Sequence, residues 1–309
     1  MDFTPQFVQN PRNTICLLNV LAVNMWRNAL APLARLLEDA DGAARCAASA
    51  DRMHQALLHH FWDPERRIFV DNRPWLSEIE KAFASERVAA QALLYGLQPP
   101  GDDGSGLLNL LARASRRYSG QFYDNGKITE VPLDDGSRII LGRAYPPNTF
   151  FRYWALAHYG RTDLVLEEWA EEWAAMGCVR DNLTMPEMWD PRPDTMAQFA
   201  HCATGAVTTL YRHILGLMPL EPGFRRCLVR PQLGGMPDFS IVAHTPQGPV
   251  RFRGIREDQG MLLEIKPPAN LDIKLELPPG AVIRRPCLAW IPDRPAPGCD
   301  EANQIVYRR

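Results

Sequence analysis

Apolar residues in the first two thirds of the chain recur with the period of a helix. Ala50, Met53, Leu57 and Phe61 fall on one face, as do Leu166, Trp169, Trp173 and Met176, and again Phe199, Cys202, Ala206, Leu210 and Ile214. Steps of three and four residues return a side chain to the same side of a 3.6-residue turn. The pattern predicts helices over residues 13–39, 43–61, 77–97, 105–118, 148–159, 163–176 and 196–216. Several are joined by short turns, as antiparallel helical hairpins require. Gly42, Gly160 and Gly177 lie between or after periodic stretches, where a left-handed residue at a helix C-terminus is wanted. Two long stretches, 119–147 and 178–195, lose the period. Connections of that length in a compact domain are often functional. No fixed-length repeat runs through the chain, which argues against a solenoid.

Past residue 224 the period becomes two. Val250, Phe252 and Gly254 alternate with Arg251 and Arg253, and Ile273, Leu275 and Leu277 with Lys274 and Glu276. These read as half-buried strands. Pro246-Gln247-Gly248, Asp258-Gln259-Gly260 and Pro278-Pro279-Gly280 supply the turns. Short strands separated by turns suggest a small antiparallel sandwich. The expected fold class is therefore mainly α with a small all-β domain. Residues 1–223 form the helical domain, 224–290 the β domain and 291–309 a Pro-rich polar tail.

Composition agrees with that division. Seven of the 8 Trp precede residue 224, while 12 of the 27 Pro follow it. A chain of 309 residues, 46% apolar, has enough material for two cores. Its 34 Lys+Arg against 36 Asp+Glu leave a net charge of −2. That balance excludes a broadly basic nucleic-acid binder, since phosphate binding needs a concentrated positive field. No apolar run reaches the ~18–20 residues of a membrane span. Residues 1–15 hold an acid, amides and prolines rather than an apolar leader core. A soluble protein is expected. The seven Cys are widely scattered, with no CxxC pair, so reduced buried thiols and a cytoplasmic location are expected.

Common chemical motifs are absent. There is no GxGxxG after a strand, no GxxxxGK[ST], no HExxH and no GxSxG. His59 and His60 are adjacent and diverge on a helix, so they read as surface residues rather than metal ligands. No metal and no cofactor are expected. The stretch that could carry chemistry is 183–206, LTMPEMWDPRPDTMAQFAHCATGA. Glu187, Trp189 and Asp190 lie there in a Pro-bounded loop, and His201 follows at the opening of a predicted helix. A carboxylate beside an aromatic ring suits a sugar: the ring covers the apolar face of a pyranose and the carboxylate handles a proton or a water. The same residues also fit a purely structural loop, with His201 a hydrogen-bonded core residue.

A resemblance extends this reading. The run 201–253, HCATGAVTTLYRHILGLMPLEPGFRRCLVRPQLGGMPDFSIVAHTPQGPVRFR, resembles the join between the helical barrel and the C-terminal β domain of bacterial α-L-rhamnosidases. In order, it carries a His-containing helix start, a Gly-Leu-Met-Pro-Leu-Glu-Pro-Gly-Phe turn at 216–224, a Pro-Gln-Leu-Gly strand end and a Thr-Pro-Gln-Gly turn before a strand. Upstream, 61–72, 85–100 and 145–169 resemble successive barrel segments, so the likeness covers roughly residues 10–290.

That family, glycoside hydrolase family 78, implies an (α/α)6 toroid of helical hairpins followed by a β-sandwich. It also implies inverting hydrolysis of terminal α-L-rhamnosides by two carboxylates. By resemblance, Thr184-Met185-Pro186-Glu187-Met188-Trp189 matches the family's base loop. Glu187 takes the role of general base and His201 a sugar-hydroxyl contact, with Trp189 and Asp190 beside them. The partner implied is a rhamnose-containing glycoside or oligosaccharide.

The sequence also departs from the family. No match to the acidic segment that supplies the general acid appears, and about seven helices are predicted where twelve close the toroid. The expectation is an incomplete toroid, in a truncated form lacking the general acid. Negligible hydrolysis is then expected, with self-association through an open barrel edge. The alternative is a non-catalytic carbohydrate-binding or interaction remnant of the same fold. Among other acids, Glu130 in the 119–147 loop is placed to reach a cleft, while Glu78, Glu80 and Glu86 read as a solvated helix face.

Overall fold

The computed structural model describes residues 15–71, 83–114, 130–133, 136–189, 193, 196–200, 204–285, 288–292 and 303–307. The chain divides into two compact units: residues 1–156 with 174–203, and residues 157–173 with 204–309.

The first unit is built on helical hairpins. A nearly continuous helix runs through Ile15–Asn24, a wider turn at Met25–Leu30, and Ala31–Leu36. It folds back against Ala40–Phe61. The reversal is local chemistry. Glu38 takes φ +60°, and Asp39 caps the next helix by accepting from the Gly42 amide at 2.7 Å. Gly42 therefore belongs to a helix start rather than the C-terminal cap expected of it, because a Cβ there would meet the Asp39 carboxylate. Gly177 likewise opens the short helix Gly177–Asn182, whereas Gly160, at φ +71°, is left-handed as expected. Cys16, Val20, Val23, Ala50, Leu57 and Phe61 are buried. Leu18, Leu33, Leu36 and Leu37 remain exposed.

A second hairpin pairs Glu86–Tyr95 with Ser105–Ala112. Ser85 caps its first helix by accepting from the Val88 amide, and Gly96 ends it at φ +62°. Ten residues cannot lose every side chain to the interior without small ones among them, and Ala89, Ala90 and Ala92 supply these.

Three strands interrupt this helical unit, contrary to the all-helical expectation. β3 (Phe83–Ser85) pairs parallel with β5 (Arg138–Gly142), which pairs antiparallel with β4 (Glu130–Pro132). Three to five residues are too few to show a period, so β3 falls inside the helix predicted over 77–97 and β5 inside the aperiodic stretch 119–147. A further hairpin joins β1 (Trp62–Asp63) to β2 (Ile68–Phe69). The helix predicted over 196–216 starts only at Gly205, and Phe199 is exposed in coil beside a single turn at Met196–Gln198.

In the second unit the helix Gly205–Thr209 continues through a wider turn, Leu210–Ile214, into β6 (Leu217–Pro219). Eight further strands follow: β7 (Arg226–Val229), β8 (Phe239–Thr245), β9 (Gly248–Glu257), β10 (Gly260–Lys266), β11 (Asp272–Leu277), β12 (Val282–Arg285), β13 (Leu288–Pro292) and β14 (Asn303–Tyr307). They form a sandwich-like pair of sheets, ordered β12-β13-β10-β9-β8 and β14-β11-β7-β6. The predicted alternation is observed: Val250 and Phe252 are buried while Arg251 and Arg253 are exposed. One pair departs from the antiparallel expectation, since β11 runs parallel to β7. The intervening strands β8–β10 provide the long crossover that parallel pairing needs. β14 pairs with β11 from within the stretch read as a tail.

Cys16, Cys178 and Cys227 are buried and Cys46 is half-buried, with no disulfide among these four. Burial pushes the Cys227 thiol up to about 12 and that of Cys16 well above its ordinary value. Cys202, Cys287 and Cys299 lie outside the described residues. Among those described, no helix is long and apolar enough to cross a membrane, and no three His, Cys, Asp or Glu side chains are grouped to hold a metal.

Candidate functional site

The parallel pairing of β3 and β5 sets the site in the first unit. Ser85 lies opposite Gly142, so the chain leaves both strands at the same end. Glu86 and Arg87 follow β3, while Arg143 and Ala144 follow β5; all four are buried. The loop carrying Glu187 and Trp189 reaches this end. The Trp189 indole N–H donates to the Ala144 carbonyl at 2.8 Å, and the Arg143 guanidinium carbon lies 3.5 Å from the centre of the Trp189 ring. A cation over an aromatic face is held by the ring's quadrupole, and more firmly when both groups are drawn out of water.

The loop is braced from within. The Thr184 hydroxyl bonds the Gln198 carbonyl at 2.7 Å and the Cys178 carbonyl at 3.2 Å, and the Ala200 amide donates to the Met185 carbonyl at 2.8 Å. Asn182 donates from its amide to Gln198 Oε1. Leu183 adopts φ +56°, a left-handed turn that a leucine accepts only where its surroundings enforce it. Pro186 is buried, Trp189 half-buried and Glu187 exposed. The braced loop thus holds one carboxylate toward water two residues from a fixed indole.

Two sequence candidates, Asp190 and His201, lie outside the described residues, as do Glu78, Glu80 and the side chain of Glu130. Glu86 departs from the expected solvated face: it is 1% exposed. The reason is the helix Glu86–Tyr95, which is buried on every side from Glu86 to Leu93. Gln91 on the same helix is fully buried, and its amide has no hydrogen-bond partner among the described residues. Sequence reasoning passed over Arg87, Gln91 and Arg143. The one available signal was the polar residues set in the Ala-rich run ERVAAQALL and the apolar run IILGRAYPP. The site as described offers one water-facing acid, one indole with a face taken by a cation, and a buried layer of one acid and two guanidinium groups.

Comparison with known proteins finds similar folds. Residues 216–285 match the family described as bacterial alpha-L-rhamnosidase C-terminal domain. The chain also aligns with a family 78 rhamnosidase from Bacillus sp. GL1 over 90% of its length, at TM-score 0.62 and 20% identity. Its fold resembles that of part of an α-L-rhamnosidase. The rhamnosidase from Dictyoglomus thermophilum aligns over 89% of the chain at TM-score 0.59 and 16% identity. The Streptomyces avermitilis enzyme, solved in complex with L-rhamnose, aligns over 90% at TM-score 0.54 and 16% identity. The chain spans 27%, 29% and 25% of these three rhamnosidases respectively. Curated protein sequences give no match.

Proposed function

We propose that the chain carries the base side of an inverting glycosidase site that acts on terminal α-L-rhamnosides. In this reading Glu187 activates the water that attacks the anomeric carbon, on the ring face opposite the departing oxygen. Trp189 walls the sugar, and Asp190 and His201 hold its hydroxyls. The helical hairpins are part of an (α/α)6 toroid, and the paired sheets are its C-terminal β-sandwich. The rhamnose-bound neighbour supports the choice of sugar.

The single observation that carries the proposal is the fixing of Trp189. Its ring is tied through the indole N–H to Ala144 and covered on one side by Arg143, two residues from an exposed carboxylate. A preset ring beside a solvent-facing acid positions a pyranose and a water together, so little ordering remains at the moment of reaction. The chemistry proposed needs two carboxylates and draws on no metal or cofactor.

A second reading, sugar binding without turnover, is favoured by Glu86. Among the described residues it is the other carboxylate at this end of the strands, and it is enclosed rather than open to a leaving group. One experiment separates the two readings. Hydrolysis of 2,4-dinitrophenyl α-L-rhamnoside, whose phenolate departs without a general acid, is followed by proton NMR, with Glu187→Gln as the control. Catalysis predicts β-L-rhamnose as first product and a loss of about 100-fold or more in the variant, the usual worth of a positioned base. No turnover, with L-rhamnose still shifting the Trp189 indole resonance, supports binding alone. No turnover and no shift removes the site from both readings.

A further inference from the structure

The five-stranded sheet of the second unit buries one face and leaves the other to solvent. Val250, Phe252, Met261, Leu263, Ile265, Ala289 and Ile291 point inward. On the opposite face the strand register sets side chains in rows. Ile255, Leu262, Trp290 and Val282 form one row across β9, β10, β13 and β12. Arg253, Glu264, Leu288 and Arg285 form the next, and Arg251 stands beside Lys266 beyond it.

Trp290 lies against Gly260 of the neighbouring strand: a Cβ on that glycine would meet the indole ring. The missing side chain lets the ring rest on the strand instead of standing up from it. Trp290 is half-buried, and Ile255 and Val282 in its row are 37% and 48% exposed.

The charges beside this ring are unequal. Arg251, Arg253, Lys266 and Arg285 face Glu264, with Glu257 at the hairpin end. Glu264 is shared between Lys266 at 3.4 Å and Arg285 at 3.8 Å. Arg251 and Arg253 have no ion-pair partner among the described residues. A flat indole takes the apolar face of a sugar ring, and a planar guanidinium takes a carboxylate in two parallel hydrogen bonds. An apolar helix would leave these cations stranded, so the face suits a ligand that is both flat-sided and anionic.

We propose that this sheet face is an accessory binding surface for an acidic, uronate-containing saccharide. One ring stacks on Trp290, and neighbouring carboxylates pair with Arg253 and Arg251. The proposal does not depend on turnover at the Glu187 loop.

Hexagalacturonate is the probe, titrated calorimetrically against the full chain at low salt, with a neutral glucose hexasaccharide as comparison. Saturable binding of the acidic probe is expected, weakened about tenfold by Trp290→Ala, by Arg251→Gln with Arg253→Gln, and by high salt, with the neutral probe about tenfold weaker. The exposed arginine variants keep the test valid if Trp290→Ala folds poorly. The proposal is overturned by absence of saturable hexagalacturonate binding, by affinity that both sets of variants leave unchanged, or by equal affinity for the neutral probe. Dimerisation of the chain lost in Trp290→Ala, without saccharide binding, would assign the face to a second copy instead.

Discussion

The Arg143 guanidinium sits over the Trp189 ring at 3.5 Å, so one face of that indole is already occupied. A sugar in the loop would meet the ring's remaining face or its edge. This narrows the broader expectation that the ring lies open to a pyranose. Arg143→Lys should keep the charge but lose the planar stack, costing about 1 kcal/mol in urea unfolding. Arg143→Ala should cost more, since the packing of its stem goes too. Equal stability of all three proteins would show that the contact contributes nothing.

His213 ties stability to pH. It closes the helical segment Leu210–Ile214, and burial, with Arg212, Arg230 and His158 nearby, lowers its pKa to about 4. In the unfolded chain the ring titrates near ~6.5. Between these values the unfolded state binds a proton that the folded state refuses, so stability falls as pH is lowered from about 6.5 toward about 4 and is fully present above that window. Denaturation midpoints across this range should slope downward toward acid, and His213→Gln should flatten the slope. An unchanged slope would place the dependence elsewhere.

Gly216 marks the change from helix to sheet. Its φ is +73°, and a Cβ there would strike the Arg230 backbone, whose amide donates to the Gly216 carbonyl at 3.1 Å. Gly216→Ala meets both strain and collision, and should destabilise by more than about 2 kcal/mol. Gly235→Ala is the comparison: φ is also positive but a Cβ has open space, so the cost should be about 1 kcal/mol. Similar losses at the two positions would refute the close-approach argument.

Leu18, Leu33, Leu36 and Leu37 are 59%, 49%, 80% and 69% exposed in and just after the first helices. Exposed apolar clusters favour association. Sedimentation velocity should show concentration-dependent self-association, reduced in Leu36→Glu with Leu37→Glu. A chain that stays monomeric at all concentrations would rule this out.

The sequence by itself determined the periods and the breaks. Ala50, Leu57 and Phe61 returned to one helix face, and Val250 and Phe252 to one sheet face, because local geometry converts spacing directly into burial. The stretch 216–224 reads as a turn only through the family resemblance; it holds the short strand β6 between Gly216 and Gly223, both at positive φ. What the tertiary structure alone decided was everything set by contact between distant segments. Glu86 read as solvated because nothing in its neighbourhood reveals that its helix is enclosed on every side. Arg143 meets Trp189 across 46 residues of chain, and only the parallel pairing of Ser85 with Gly142 brings Glu86 and Arg143 to one strand end. Spacing along a chain fixes which way a side chain points on its own element, whereas its neighbours depend on how elements pack, and packing is settled by burial summed over the whole fold.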